Sequence, residues 1–332
     1  MRKKTFPRIK LSIAALSLAV AALTGLSRAE EPLKIAYSDW PGWVAWDIAE
    51  KKGFFEKHDV AVELLWFEYG ASMDAFASGQ ADAVCVANCD SLVLNATGAR
   101  NMMILINDYS NGNDKIVARP GINSVKDLKG KKIGVEVGCV SQVLLIHALE
   151  ANGLGEKDVT LVNMPTHQAA QVLNSGDVDA IVAWQPYSGM ALKTVEGSSA
   201  VYTSADIPGI IYDTLVVSPG SILKHRADWQ NVMAAWYDVI AYMSDPANEE
   251  EALKILSARV GITPEEYKPF LSGTRLLTKD EALKCMQPAD GLDSLQGSSE
   301  VVNRFFAENK VYDSPVDVRR CIDPSFTKTA AK

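Results

Sequence analysis

Asp114-Lys-Ile-Val-Ala-Arg-Pro-Gly121 returns later in the chain as Asp213-Thr-Leu-Val-Val-Ser-Pro-Gly220. Each copy is an acid, a β-prone apolar run and a Pro-Gly stop, which reads as a strand closed by a turn. The copies lie 99 residues apart, and other echoes share nearly that offset. Ser78-Gly-Gln-Ala-Asp-Ala-Val84 matches Ser175-Gly-Asp-Val-Asp-Ala-Ile181, Lys34-Ile-Ala36 matches Lys132-Ile-Gly134, and Asp59-Val-Ala-Val62 matches Asp158-Val-Thr-Leu161. A repeated framework of this kind implies two similar α/β halves. Two halves enclose a cleft, and clefts are where ligands bind.

Size agrees, since 332 residues exceed what a single core holds. The start is different in kind. Arg2, Lys3, Lys4, Arg8 and Lys10 precede the apolar run Leu11 to Leu23, and Ser27-Arg-Ala29 follows. That is the pattern of a secretory signal cleaved after Ala29, and the run is shorter than the ~20 residues a spanning helix needs. Cleavage would remove six basic and no acidic residues, taking the formal charge from −8 to −14. Such a surface repels nucleic acid. The mature product is expected to be soluble and exported, without a cofactor. Cys85, Cys89, Cys139, Cys285 and Cys321 are too scattered for a disulfide scaffold, although an oxidising compartment would let Cys285 and Cys321 pair. No ligand pair follows Cys85 and Cys89 at a spacing suited to metal.

Read in order, strand, helix and strand alternate through residues 33–106 and again through 131–183, which argues for parallel pairing with helices on the faces. Ser72 is a plausible cap for a helix starting at Gly70. Thr263 with Glu266, and Thr278 with Glu281, fit the capping box. Segments 228–244, 248–260, 298–309 and 314–321 read as amphipathic helices. Because the strand at 214–218 copies the outgoing one, the chain is expected to return to the first half. The first lobe would then comprise 30–112 plus 214–332, and the second 113–213.

In open parallel sheets, ligands bind at the carboxyl ends of strands beside helix N-termini. Those ends carry Asp39, Trp40, Trp43, Ser72, Asn88, Asp90, Asp108, Glu136, Cys139, Val140, Ser141, Trp184, Tyr187 and Asp213. None of them carries Lys or Arg. The acids could balance a cationic solute, and Trp40, Trp43, Trp184 and Tyr187 could cage an ammonium or stack on a planar group. Structural roles compete: Asp90 as a helix cap, Trp43 as core, Asp108 and Asp213 as braces for the crossovers. Backbone amides at Ser72, Val140 and Ser141 keep an anion open. His58, His147, His167 and His225 are dispersed, and no nucleophile elbow, phosphate loop or dinucleotide fingerprint is present. Binding is favoured over catalysis.

Lys34-Ile-Ala-Tyr-Ser38, Ala49-Glu-Lys-Lys-Gly-Phe-Phe55, Ser78-Gly-Gln-Ala-Asp-Ala83, Val125-Lys-Asp-Leu-Lys-Gly-Lys-Lys-Ile-Gly134 and Ala183-Trp-Gln-Pro-Tyr187 together resemble the periplasmic solute-binding proteins of ABC importers, of the nitrate/sulfonate/taurine type. The resemblance implies a type II two-lobed binding fold hinged by two crossovers, with C-terminal helices on the first lobe. It also implies a periplasmic monomer that delivers a small solute to an ABC permease and its ATPase. Glu136, Cys139 and Val140 stand where sulfonate binders of this family tend to be small and hydroxyl-rich. That points to an amine, guanidine-like or heteroaromatic nitrogen compound, with taurine-like sulfonates or nitrate as the alternative. An enzyme of the thiamin-pyrimidine synthase group, which shares this fold, is a further alternative.

Overall fold

The structure is a computed structural model that describes Met1 and residues 31–330, so the expected signal peptide lies outside the described residues. The chain divides into Met1–Pro32 and Leu33–Lys332, and the second unit is described here. Eleven strands build two sheets within it. One contains β1 (Leu33–Tyr37), β2 (Val62–Trp66), β3 (Ala83–Ala87), β4 (Met102–Ser110), β10 (Tyr212–Val217) and β11 (Thr274–Leu276); the other contains β5 (Lys115–Ala118), β6 (Lys132–Val135), β7 (Thr160–Asn163), β8 (Ala180–Ala183) and β9 (Ser199–Thr203). Their orders are β11-β4-β10-β3-β1-β2 and β7-β6-β8-β5-β9. In each, three parallel strands are joined by an antiparallel one, β10 beside β3 and β5 beside β8. Those two antiparallel strands are the repeated Asp-to-Gly stretches.

The duplicated residues do the same work twice. Asp82 Oδ2 accepts from the Lys34 amide at 3.0 Å, and Asp179 Oδ2 accepts from the Lys132 amide at 2.8 Å. The amides of Ser218 and Arg119, at the ends of the two exchanged strands, donate to the carbonyls of Asp82 and Asp179, each at 3.0 Å. An Asp after a Ser-Gly turn thus ties the first strand of each lobe to the strand arriving from the other. Where the chain crosses, Ser204 Oγ accepts from the Gly112 amide and lies 2.7 Å from Ser110 Oγ, knitting both crossovers together. The C-terminal helices pack on the first lobe. Trp236 of the helix Arg226–Ser244 meets Trp46 with ring centroids 4.5 Å apart, and the Met103 amide donates to the Cys321 carbonyl at 2.7 Å. Both expected capping boxes form.

Some expectations need correction. The helix Tyr69–Ala77 starts before Ser72, whose hydroxyl donates to the Tyr69 carbonyl, so Ser72 caps nothing. Within 314–321 only the short turn Val318–Arg320 is helical, because Pro315 interrupts the run. Cys285 and Cys321 are both free thiols, the latter held to β4 through its own backbone.

Candidate functional site

The carboxyl ends of β1 and β2 face those of β6 and β8 across the gap between the sheets, and three connected chambers lie along that gap. The middle chamber, about 180 Å³, is lined by Asp39, Glu68, Tyr69, Gly70 and Ala71 from one lobe. The other lobe supplies Glu136, Pro165, Thr166, His167, Trp184 and Tyr187. Three carboxylates and three rings therefore surround it, with His167 as the one basic group, 3.3 Å from Glu68. Tyr69 and Trp184 form the floor, edge to face at 5.2 Å. Beneath them an inner chamber of only about 10 Å³, room for about one water, is walled by Trp40, Trp43, Tyr69, Trp184, Val140, Asp114 and Asp213. The outer chamber, about 570 Å³, shares Asp39, Glu68 and Tyr187 with the middle one.

Buried carboxyl groups distinguish the cleft. Burial pushes the Asp39 carboxyl up to about 6 although the Tyr187 hydroxyl faces it, and nearby Glu68 raises it further. Burial likewise raises Glu136, against hydrogen bonds to its Oε2 from the Thr166 amide at 3.2 Å and hydroxyl at 3.0 Å. Asp90, behind Tyr69, is pushed up to about 7 by burial; Tyr69 donates to it at 2.6 Å, and its Oδ1 has no hydrogen-bond partner. Asp108 and Asp213 stand opposite each other on β4 and β10, both fully enclosed; burial raises both, Asp108 raises Asp213 further, and the hydrogen bond between them lowers Asp108, so one proton is held between them. Trp40 Nε1 donates to Asp108 at 3.1 Å, while Asp213 Oδ2 has no partner. Gly42 admits this pair: a Cβ there would lie 1.8 Å from Asp108 Oδ2. Gly42→Ala is expected to cost about 1–3 kcal/mol of stability by overpacking, read as a lowered urea midpoint.

Asp39, Glu136, Trp184 and Tyr187 meet in the middle chamber, and Trp40, Trp43, Val140 and Asp213 around the inner one. Asp90 and Asp108 lie just behind those walls. Asn88 is not part of it: its Nδ2 donates to Ser298 and Ser299, and its Oδ1 accepts from the Tyr212 amide, which fastens the helix Leu295–Glu308 to the first lobe. Ser72 and Ser141 line none of the chambers. Cys139 precedes the helix Val140–Ala151 and, like Cys89, is kept far from ionising by burial and by Asp90. Of the amides proposed for an anion, that of Ser72 donates to the Glu68 carbonyl, and the Val140 backbone faces Asp90. Sequence reasoning missed Tyr69, although it directly follows a strand end. It also missed Arg259 and Lys193, which reach the outer chamber from helices that no strand-end rule covers.

Two lobes with strand ends from both converging on the gap between them define the two-lobed periplasmic binding protein fold. The chain belongs to the NMT1-like family, whose model matches residues 27–257. A Brucella abortus (strain 2308) protein named as a binding protein is 26% identical over 311 residues, covering 92% of this chain and 93% of that one. The periplasmic aliphatic sulphonate binding protein SsuA from Escherichia coli superposes with a TM-score of 0.72 at 21% identity, covering 90% of this chain and 100% of that chain. The desulfurization enzyme DSZB has the same fold, with a TM-score of 0.64, 19% identity, and coverage of 90% and 98%. Sulfonate- and nitrate-binding proteins are also among the matches.

Proposed function

We propose that this protein is the exported binding component of an ABC importer, capturing a small cationic nitrogen compound between its lobes and handing it to a membrane permease with its ATPase. The observation that carries the reading is the middle chamber, where Asp39, Glu68 and Glu136 confront Tyr69, Trp184 and Tyr187 with no Lys or Arg among the lining residues. An ammonium or guanidinium gains from ring faces and from desolvated carboxylates at once. A sulfonate or nitrate would meet like charge there, and the helix start that could hold it already faces Asp90. Catalysis by a thiol is disfavoured because the enclosed Cys85 and Cys89 are held protonated by burial.

Thermal-shift and calorimetric screening of tetramethylammonium, guanidinium, aminopyrimidines, taurine and nitrate tests the reading. Cations should stabilise the protein; stabilisation by taurine and nitrate alone would refute a cationic solute. Glu136→Gln is expected to weaken a bound cation by about 2 kcal/mol, the lower end for truncating one side of a charged pair, because Thr166 already shares this carboxylate. An unchanged dissociation constant would remove Glu136 from the site.

A further inference from the structure

The outer chamber is far larger than a small cation requires, and its chemistry differs from that of the middle one. Trp66, Phe67, Met190, Val260, Ile262 and Phe270 supply its apolar wall. Trp66 and Met190 are 37% and 50% exposed, among the few large apolar side chains left open to solvent. The cations at its edge are already engaged. Arg259 lies 3.0 Å from Asp47, donates to the Tyr37 hydroxyl at 2.7 Å, and rests over the Trp66 ring at 4.9 Å. Lys193 pairs with Glu266 at 3.0 Å. What remains uncommitted is apolar surface, and an open concave patch of that kind marks a binding groove.

The chamber is continuous with the head site through Asp39, Glu68 and Tyr187, and both lobes build it. Met190 comes from the helix Tyr187–Thr194 after β8, Trp66 from the end of β2, Val260 and Phe270 from the helices Glu249–Val260 and Pro264–Ser272, and Ile262 from the link between them. At about 570 Å³ it falls within the size of sites that enclose drug-sized ligands, whereas the middle chamber alone does not. We infer that the outer chamber is a second subsite, taking an apolar chain or ring attached to the polar head held in the middle chamber, so that the solute is amphiphilic. This rests on the cleft being the solute site and is independent of the sign of the head's charge.

Calorimetry with two homologous series tests it, alkyltrimethylammonium ions and alkanesulfonates, each with methyl to octyl chains, on the wild type and on Met190→Asn. Met190 is half exposed, so the variant should fold. Affinity is expected to rise roughly three- to fourfold per methylene over the first several carbons, the usual gain for apolar burial. Met190→Asn should cut the octyl homologue's affinity by about fivefold or more, as apolar contact is lost, and leave the methyl homologue unchanged. A length-dependent gain confined to the sulfonates would uphold the subsite while refuting the cationic head. No gain with length in either series, no binding by either, or equal weakening of short and long homologues by Met190→Asn would overturn the subsite.

Discussion

Asp39→Asn should weaken capture of a cationic solute by about 2–5 kcal/mol, roughly thirty-fold to several-thousand-fold, with no loss of stability in the ligand-free protein. Asp39 borders both the middle and outer chambers and has no basic partner across the cleft. Its carboxyl is already pushed up to about 6 by burial, so the ionised form is uncomfortable until a cation arrives. Asparagine keeps the shape and can still accept from Tyr187, but offers no charge. Calorimetry for affinity and thermal melts for stability separate the two effects. A sulfonate ligand would respond oppositely, binding more tightly once the negative charge is gone.

Raising the pH from about 5 to 9 should destabilise the ligand-free protein by an amount on the order of 5 kcal/mol, given ~1.4 kcal/mol per unit of pKa displacement. The sign follows from the direction of the shifts. Asp39 and Asp114 are raised to about 6 and Asp90 to about 7, each chiefly by burial, and Asp108 and Asp213 are also raised chiefly by burial, Asp213 further by the charge of Asp108. An acid raised in the folded state binds its proton more tightly than in the unfolded chain. Its contribution is complete below the unfolded value near 4 and disappears as pH climbs through 6 to 8. Below about pH 4 the exposed carboxylates held low by partners, such as Glu251 and Glu281, oppose the trend. The melting temperature should therefore peak between about pH 4 and 6. Asp213→Asn, which removes one member of the pair, should flatten the alkaline limb. A melting temperature that rises steadily from pH 5 to 9 would contradict this account. A cationic solute favours ionised acids, so its affinity should rise over the same interval in which bare stability falls.

Much of this architecture was legible because it is written twice. The Ser-Gly-x-x-Asp echoes end helices and clamp first strands in both lobes, a local job that a turn and one carboxylate perform wherever the chain places them. Strand-end reasoning pointed to Asp39, Glu136, Trp184 and Tyr187 because side chains there open on the sheet edge whatever the lobes do. It failed for Asn88 and Ser72, whose polar groups are spent on Ser298, Ser299 and the Tyr69 carbonyl. Nothing in the sequence order reveals those partners.

The duplicated stretches by themselves determined a pair of strands closed by turns, because an acid, a β-run and a Pro-Gly stop carry their geometry locally; that both run antiparallel to their neighbours came from the tertiary structure. They also put acids and rings where the two sheets end. Only the tertiary structure decided which acids stand unpaired. Arg259 lies 212 residues from Asp47 and Lys193 lies 73 from Glu266, yet each is neutralised by its neighbour in space. Among the described residues, neither Asp39 nor Asp213 forms an ion pair. Electrostatic free energy depends on distance and burial, and both are set by how the lobes pack, a property that no single stretch contains.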